Sequence, residues 1–91
     1  MEEEVKQIML DPELQGRTKL VLGILRVIAS ERRVATCKRE WLRAATSYSL
    51  RRLNSRLAFM EQEGLLRSRT APLSPDGAEM ICYEILYPVA A

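Results

Sequence analysis

The sequence predicts a small α+β domain, mainly helical, closed by one small β-hairpin. Three observations point to it. "LVLGILRVI" and "LRRLNSRLAFM" repeat apolar residues at helical spacing. "LLRSRTA" and "EMICYEILY" alternate and are rich in strand-forming residues. Between those two runs lies "PLSPDG", with two prolines and an Asp-Gly pair, which is strong turn chemistry. A chain of 91 residues with 47% hydrophobic and 29% charged residues holds one core with little to spare.

From the N-terminus, "MEEEVKQIML" offers Val5, Ile8 and Met9 on one face, as a short helix or an arm. Asp11-Pro12-Glu13 is a helix-start signal, with a capping aspartate, proline at the first helical position and an acid in the first turn. Gly16 is a candidate break and Thr18 a second candidate cap. Over Leu20–Ile28, Leu22 and Val27 widen the apolar stripe beyond one face, so this helix needs cover on two sides. The N-terminal arm or a second copy of the protein can supply the second cover. "RVAT" has the length of a very short strand.

Thr36 is placed to cap a helix over Lys38–Ala45, with Trp41, Leu42 and Ala45 facing inward. A break at "ATS" follows, and Thr46 or Ser47 caps a third helix over 47–63. On its wheel Leu50, Leu53, Leu57 and Met60 share the inward side. Tyr48, Arg52, Ser55, Arg56, Phe59 and Glu63 lie opposite, with Arg51 at the margin. Gly64 ends the helix as a left-handed residue. The face formed by Ile81, Tyr83, Ile85 and Tyr87 should pack on the helices, because a two-stranded hairpin needs such support.

Net charge is only +2, but it is divided along the chain. Residues 1–16 carry one base and five acids, residues 17–69 thirteen bases and four acids, and residues 70–91 three acids and no base. A strongly basic middle is the charge asymmetry expected of a polyanion binder. The absence of histidine removes the commonest general base, the hydrolase triads and the usual Cys/His zinc sets. The four glycines are scattered rather than gathered in a phosphate loop. No enzyme, metal, cofactor or small-molecule ligand is therefore expected. Cys37 and Cys82 can form a disulfide, but two buried free thiols suit a reducing compartment better. The acidic start is unlike a secretory leader, and no apolar run approaches the ~20 residues of a membrane helix. A cytoplasmic location is expected.

The order helix, short strand, helix, tight turn, helix, hairpin resembles the winged helix-turn-helix superfamily over residues 17–87. Residues 1–16 form an acidic arm or short helix ahead of it, and 88–91 a tail. "WLRAA" looks like the first helix of the motif and "SYSLRRLNSRLAFMEQEG" like its recognition helix. "LAFMEQEGLLRSR" is similar to the family's passage from recognition helix into wing. The resemblance implies a three-helix core plus wing, with the helix 47–63 entering the major groove by its N-terminal half and the hairpin reaching backbone or minor groove.

That likeness and the residue types together select the candidate DNA contacts. Arg52 and Arg56 face away from the core, Arg51 adjoins them, and arginine pairs with guanine or phosphate. Ser47, Tyr48 and Ser55 suit phosphates or base edges. Lys38, Arg39, Arg43, Arg67 and Arg69 would extend the positive surface. The wing tip "APLSPDG" departs from the family's pattern by carrying no base and containing Asp76, which leaves Arg67 and Arg69 to reach phosphates from the strand.

The expected function is thus a small, dimeric, sequence-specific regulator of transcription bound to double-stranded DNA, occluding or marking a promoter. The alternative is a winged-helix module whose partner is another protein, favoured by the acidic tip and by exposed Phe59 and Leu73.

Overall fold

The computed structural model describes residues 2–71, 75–77 and 79–88. Leu73 and the tail beyond Pro88 lie outside them. Among the described residues the elements run α1 (Glu2–Leu10), α2 (Gly16–Ile28), β1 (Val34–Cys37), α3 (Arg39–Thr46), α4 (Leu50–Gln62), β2 (Leu66–Ala71) and β3 (Met80–Ile85). The protein is an α+β assembly of four helices on a three-stranded antiparallel sheet of order β1-β3-β2.

Strand alternation decides which face of the sheet is covered. Ala35, Cys37, Leu66, Ile81, Tyr83 and Ile85 point inward and are buried. Thr36, Arg67, Arg69, Cys82 and Glu84 occupy the other face. Cys37 and Cys82 therefore project to opposite sides of the sheet, and both are free thiols. Cys37 is buried as expected, and burial pushes its thiol up to about 11. Cys82 is only half-buried, with its Sγ 3.4 Å from Thr36 Oγ1. Strand β2 lies at a sheet edge, where the Glu61 carboxylate accepts from both the Ser68 N–H (2.9 Å) and the Ser68 hydroxyl.

The N-terminal segment is a helix that pairs antiparallel with α2. Ile8 is buried at the contact, and the Met9 sulfur sits over Gly23. Glu4 is ion-paired with the buried Arg26 and lies 3.7 Å from Arg33. The Asp11-Pro12-Glu13 signal opens a turn instead of a helix. Asp11 accepts from the Glu13 N–H (2.9 Å) with one carboxylate oxygen and from the Tyr87 hydroxyl (2.8 Å) with the other. Gly16, expected as a break, instead begins α2 behind Gln15, which makes no side-chain cap.

Both carboxyls that hold this region are kept below their ordinary values. Glu4 is lowered from 4.5 chiefly by the Arg26 hydrogen bond. Asp11 is lowered from 3.8 chiefly by the Glu13 amide, then by Tyr87. A carboxyl with a depressed folded pKa stabilises the fold above its unfolded pKa, and that contribution is lost as pH falls through the folded value. Urea midpoints should hence fall as acid is added below 4.5. In Glu4→Gln the midpoint should start lower and vary less with pH; an unchanged pH profile in that variant would contradict the anchoring role.

Thr36 lies within β1 opposite Cys82, so the position before α3 is taken by Lys38, without a side-chain cap. Within α3 the buried pair is Leu42 and Thr46, one turn apart, while Trp41 is 45% exposed and Ala45 is exposed too. Burial of Thr46 is possible because its hydroxyl donates to its own helix, with the Leu42 and Arg43 carbonyls each at 3.0 Å. The same oxygen accepts from the Tyr48 N–H at 3.3 Å, and Ser47 turns the chain with φ 60°. Neither Thr46 nor Ser47 caps α4; Ser49 does, three residues before Arg52, whose N–H it accepts at 3.1 Å.

Helix α4 buries Leu53, Leu57 and Met60. Leu50 is 47% exposed, because it occupies the first turn, ahead of the core layer that begins at Leu53. At the other end Gly64 has φ 76°, Leu65 N donates to Met60 O (2.9 Å) and Gly64 N to Glu61 O (3.1 Å). These are the two hydrogen bonds of a Schellman ending, with buried Leu65 and Met60 as its apolar pair.

Candidate nucleic-acid interface

The turn Ser47–Ser49 aims the N-terminus of α4 into solvent beside the N-terminus of α2. Between them lies a cavity of about 350 Å³ lined by Arg17, Ser49, Arg51, Arg52, Ser55 and Arg56. Neither helix carries an acid in its first turn. Arg17 and the pair Arg51–Arg52 instead occupy those turns, where the positive end of the helix dipole disfavours cations. Helix α3 keeps the usual order, with Glu40 in its first turn and Arg43 in its last. Four arginines thus line one cavity beside two helix N-termini, whose first-turn N–H groups have no partner within their own helix. A phosphate would relieve both the mutual repulsion and the dipole conflict.

The individual arginines are held differently. Arg51 and Arg52 are exposed, and the Arg52 guanidinium stands 5.6 Å from the Tyr48 ring centroid. Arg56 is half-buried. Its Nη1 donates to Gln15 Oε1 (3.1 Å) and Thr18 Oγ1 (3.4 Å), and its guanidinium stacks 5.0 Å from the Phe59 ring. Phe59, 36% exposed, lies beside the α1–α2 turn and Tyr87. Among the described residues none of Arg17, Arg51, Arg52 and Arg56 belongs to an ion pair.

The other candidates divide. Ser47 and Tyr48 lie in the turn ahead of α4 and not on the helix itself. Ser55, Arg39 and Arg69 are exposed, Arg39 beside the Tyr83 hydroxyl, and neither arginine forms an ion pair among the described residues. Lys38 is paired with Asp76, Arg43 with Glu40, and Arg67 with Glu84 across the hairpin. The hairpin base is therefore less basic than its sequence, and Arg56 is less free than its wheel position. Arg17 was missed because α2 begins four residues before its apolar run. An uncapped helix start carrying a base and no acid was the signal that marked it.

Ser49 gives this site a discriminating variant. Loss of the cap in Ser49→Ala should cost ~1 kcal/mol of stability, read in denaturant melts. Ser49→Asp should keep the cap and the stability while placing a negative charge in the cavity, weakening any anion bound there. Equal anion affinity in Ser49→Asp and the parent would argue against an anion site.

No known family model matches the chain, and neither the curated proteins nor the solved structures compared with it give a match. Among the described residues no helix is long and apolar enough to cross a membrane.

Proposed function

We propose that the chain is a winged helix-turn-helix DNA-binding protein, acting as a small dimeric regulator of transcription. The observation that carries this reading is the arginine-lined cavity at the joined N-termini of α2 and α4. Helix α3, the left-handed Ser47 turn and α4 supply a helix-turn-helix, and β2–β3 supply the wing. On this reading α4 enters the major groove with Arg52 and Ser55 toward base edges, while Arg17, Arg51 and Arg56 grip phosphates. The bonds from Arg56 to Gln15 and Thr18 hold its guanidinium beside the start of α2. Arg39 and Arg69 add outlying charge.

The test is fluorescence anisotropy with labelled duplexes at about 50 and about 200 mM salt, followed by selection from random duplex DNA. Binding that weakens steeply with salt, and a two-fold symmetric consensus, are the expected results. Absent or salt-insensitive binding rejects the reading. The pairing of Lys38, Arg43 and Arg67 with carboxylates favours one alternative, a winged-helix module that binds protein. A stoichiometric protein partner that survives nuclease treatment, with no duplex affinity, would select it.

A further inference from the structure

The arginine-lined cavity is more firmly built than a solvated helix face. Arg56 is held from three directions. Its Nη1 donates to Gln15 Oε1 (3.1 Å) and Thr18 Oγ1 (3.4 Å), and the Phe59 ring lies 5.0 Å from its guanidinium. Thr18 is only 1% exposed, so that anchor belongs to the core. One turn earlier Arg52 stands 5.6 Å from the Tyr48 ring. Both distances lie within the ~6 Å reach of a cation–π contact. These two side chains have given up part of their rotamer freedom before any ligand arrives, which lowers the cost of binding an anion.

The balance of charge favours a compact ligand carrying more than one negative charge. Arg17, Arg51, Arg52 and Arg56 line the cavity with the Ser49 and Ser55 hydroxyls, and no acid is among the lining residues. Among the described residues none of the four arginines belongs to an ion pair. A backbone phosphodiester brings a single negative charge, whereas a phosphomonoester carries about −1.5 to −2 at neutral pH and a diphosphate more. Guanidinium forks take phosphate oxygens in pairs. The volume, about 350 Å³, falls within the ~300–1,000 Å³ of small-molecule sites. Nothing in the sequence announced such a ligand, because Arg17 meets the arginines of α4 only through packing.

We infer that this cavity binds the diphosphate group of a small phosphorylated molecule, with Arg52 and Arg56 as its fixed forks and Arg17 and Arg51 completing the charge. The ligand shares these residues with the phosphate contacts of the reading above and therefore competes with a duplex. Its own binding does not depend on that reading.

Isothermal titration calorimetry of the full chain at fixed ionic strength tests it, with inorganic pyrophosphate as the probe and orthophosphate and sulfate as controls. Pyrophosphate should bind at least about tenfold more tightly than either control. Arg56→Lys keeps the charge and loses the fork, and should lower that affinity roughly tenfold. Gln15→Ala leaves the charge untouched, removes no cap and frees Arg56 from one anchor, so a several-fold loss is expected with helical content by circular dichroism unchanged. Equal affinity for the three anions, or undiminished affinity in either variant, overturns the inference. Adenosine diphosphate binding at least as tightly as pyrophosphate names a nucleotide as the source, and weaker binding an inorganic one; both support the site. Labelled duplex keeps the two readings apart. A duplex that binds where pyrophosphate does not leaves the DNA reading and removes this one, and pyrophosphate binding without duplex binding does the reverse. Where both bind, pyrophosphate at constant ionic strength should displace the duplex, and failure to displace it overturns the competition.

Discussion

Arg52→Ala is expected to weaken duplex binding by ~1–3 kcal/mol, about 5- to 150-fold, and to relax preference at one base position. The magnitude follows from where Arg52 sits. It projects from the exposed first turn of α4, is steadied by the Tyr48 ring at 5.6 Å, and has no carboxylate partner among the described residues. Arg17→Ala should act differently. From the first turn of α2 it faces the same cavity and reads no base, so affinity should fall about equally for all sequences and the salt slope by roughly one unit. Anisotropy titrations across a salt series with selected and scrambled duplexes separate the two. A twofold or smaller effect of Arg52→Ala would remove α4 from the interface, and a selective effect of Arg17→Ala would reverse the assigned roles.

Leu53→Ala should have the largest effect on the fold. Leu53 is fully buried, in one core cluster with residues from the helices and the sheet. Deleting it removes apolar burial and leaves a cavity, at a cost of ~2–5 kcal/mol. A chain of this length has ~5–13 kcal/mol of stability in total, so the melting temperature should drop by roughly 10–25 °C. Thermal melts by circular dichroism measure this directly. Leu50→Ala, one turn earlier and half exposed, should shift the midpoint by only a few degrees. Similar shifts for the two would mean that the outward position of Leu50 is wrong.

What the sequence revealed was local. The spacing of Leu53, Leu57 and Met60, the glycine that closes α4, and the turn chemistry between β2 and β3 depend on neighbours within a few residues, so each could be read directly. Trp41 could not. Hydropathy favours a buried tryptophan over a buried threonine, yet Thr46 takes the inward place because its own helix satisfies the hydroxyl. The same limit applied to the site. The arginines of α4 were visible as a cluster, whereas Arg17 joined them only through the packing of α2. The partners of Lys38 and Arg67 lie 38 and 17 positions away and depend on where the hairpin falls and on its strand register, which loop length alone leaves open.

The Glu61 carboxylate on Ser68 has a consequence for how the protein behaves at high concentration. An outer strand with unsatisfied amides is a template on which strands of neighbouring molecules can add. By occupying one amide of β2 and setting a negative charge beside it, Glu61 makes such lateral growth unfavourable. Light scattering of concentrated Glu61→Ala should therefore rise with time while the parent stays clear, and equal turbidity in both would show that this border of the sheet needs no guard.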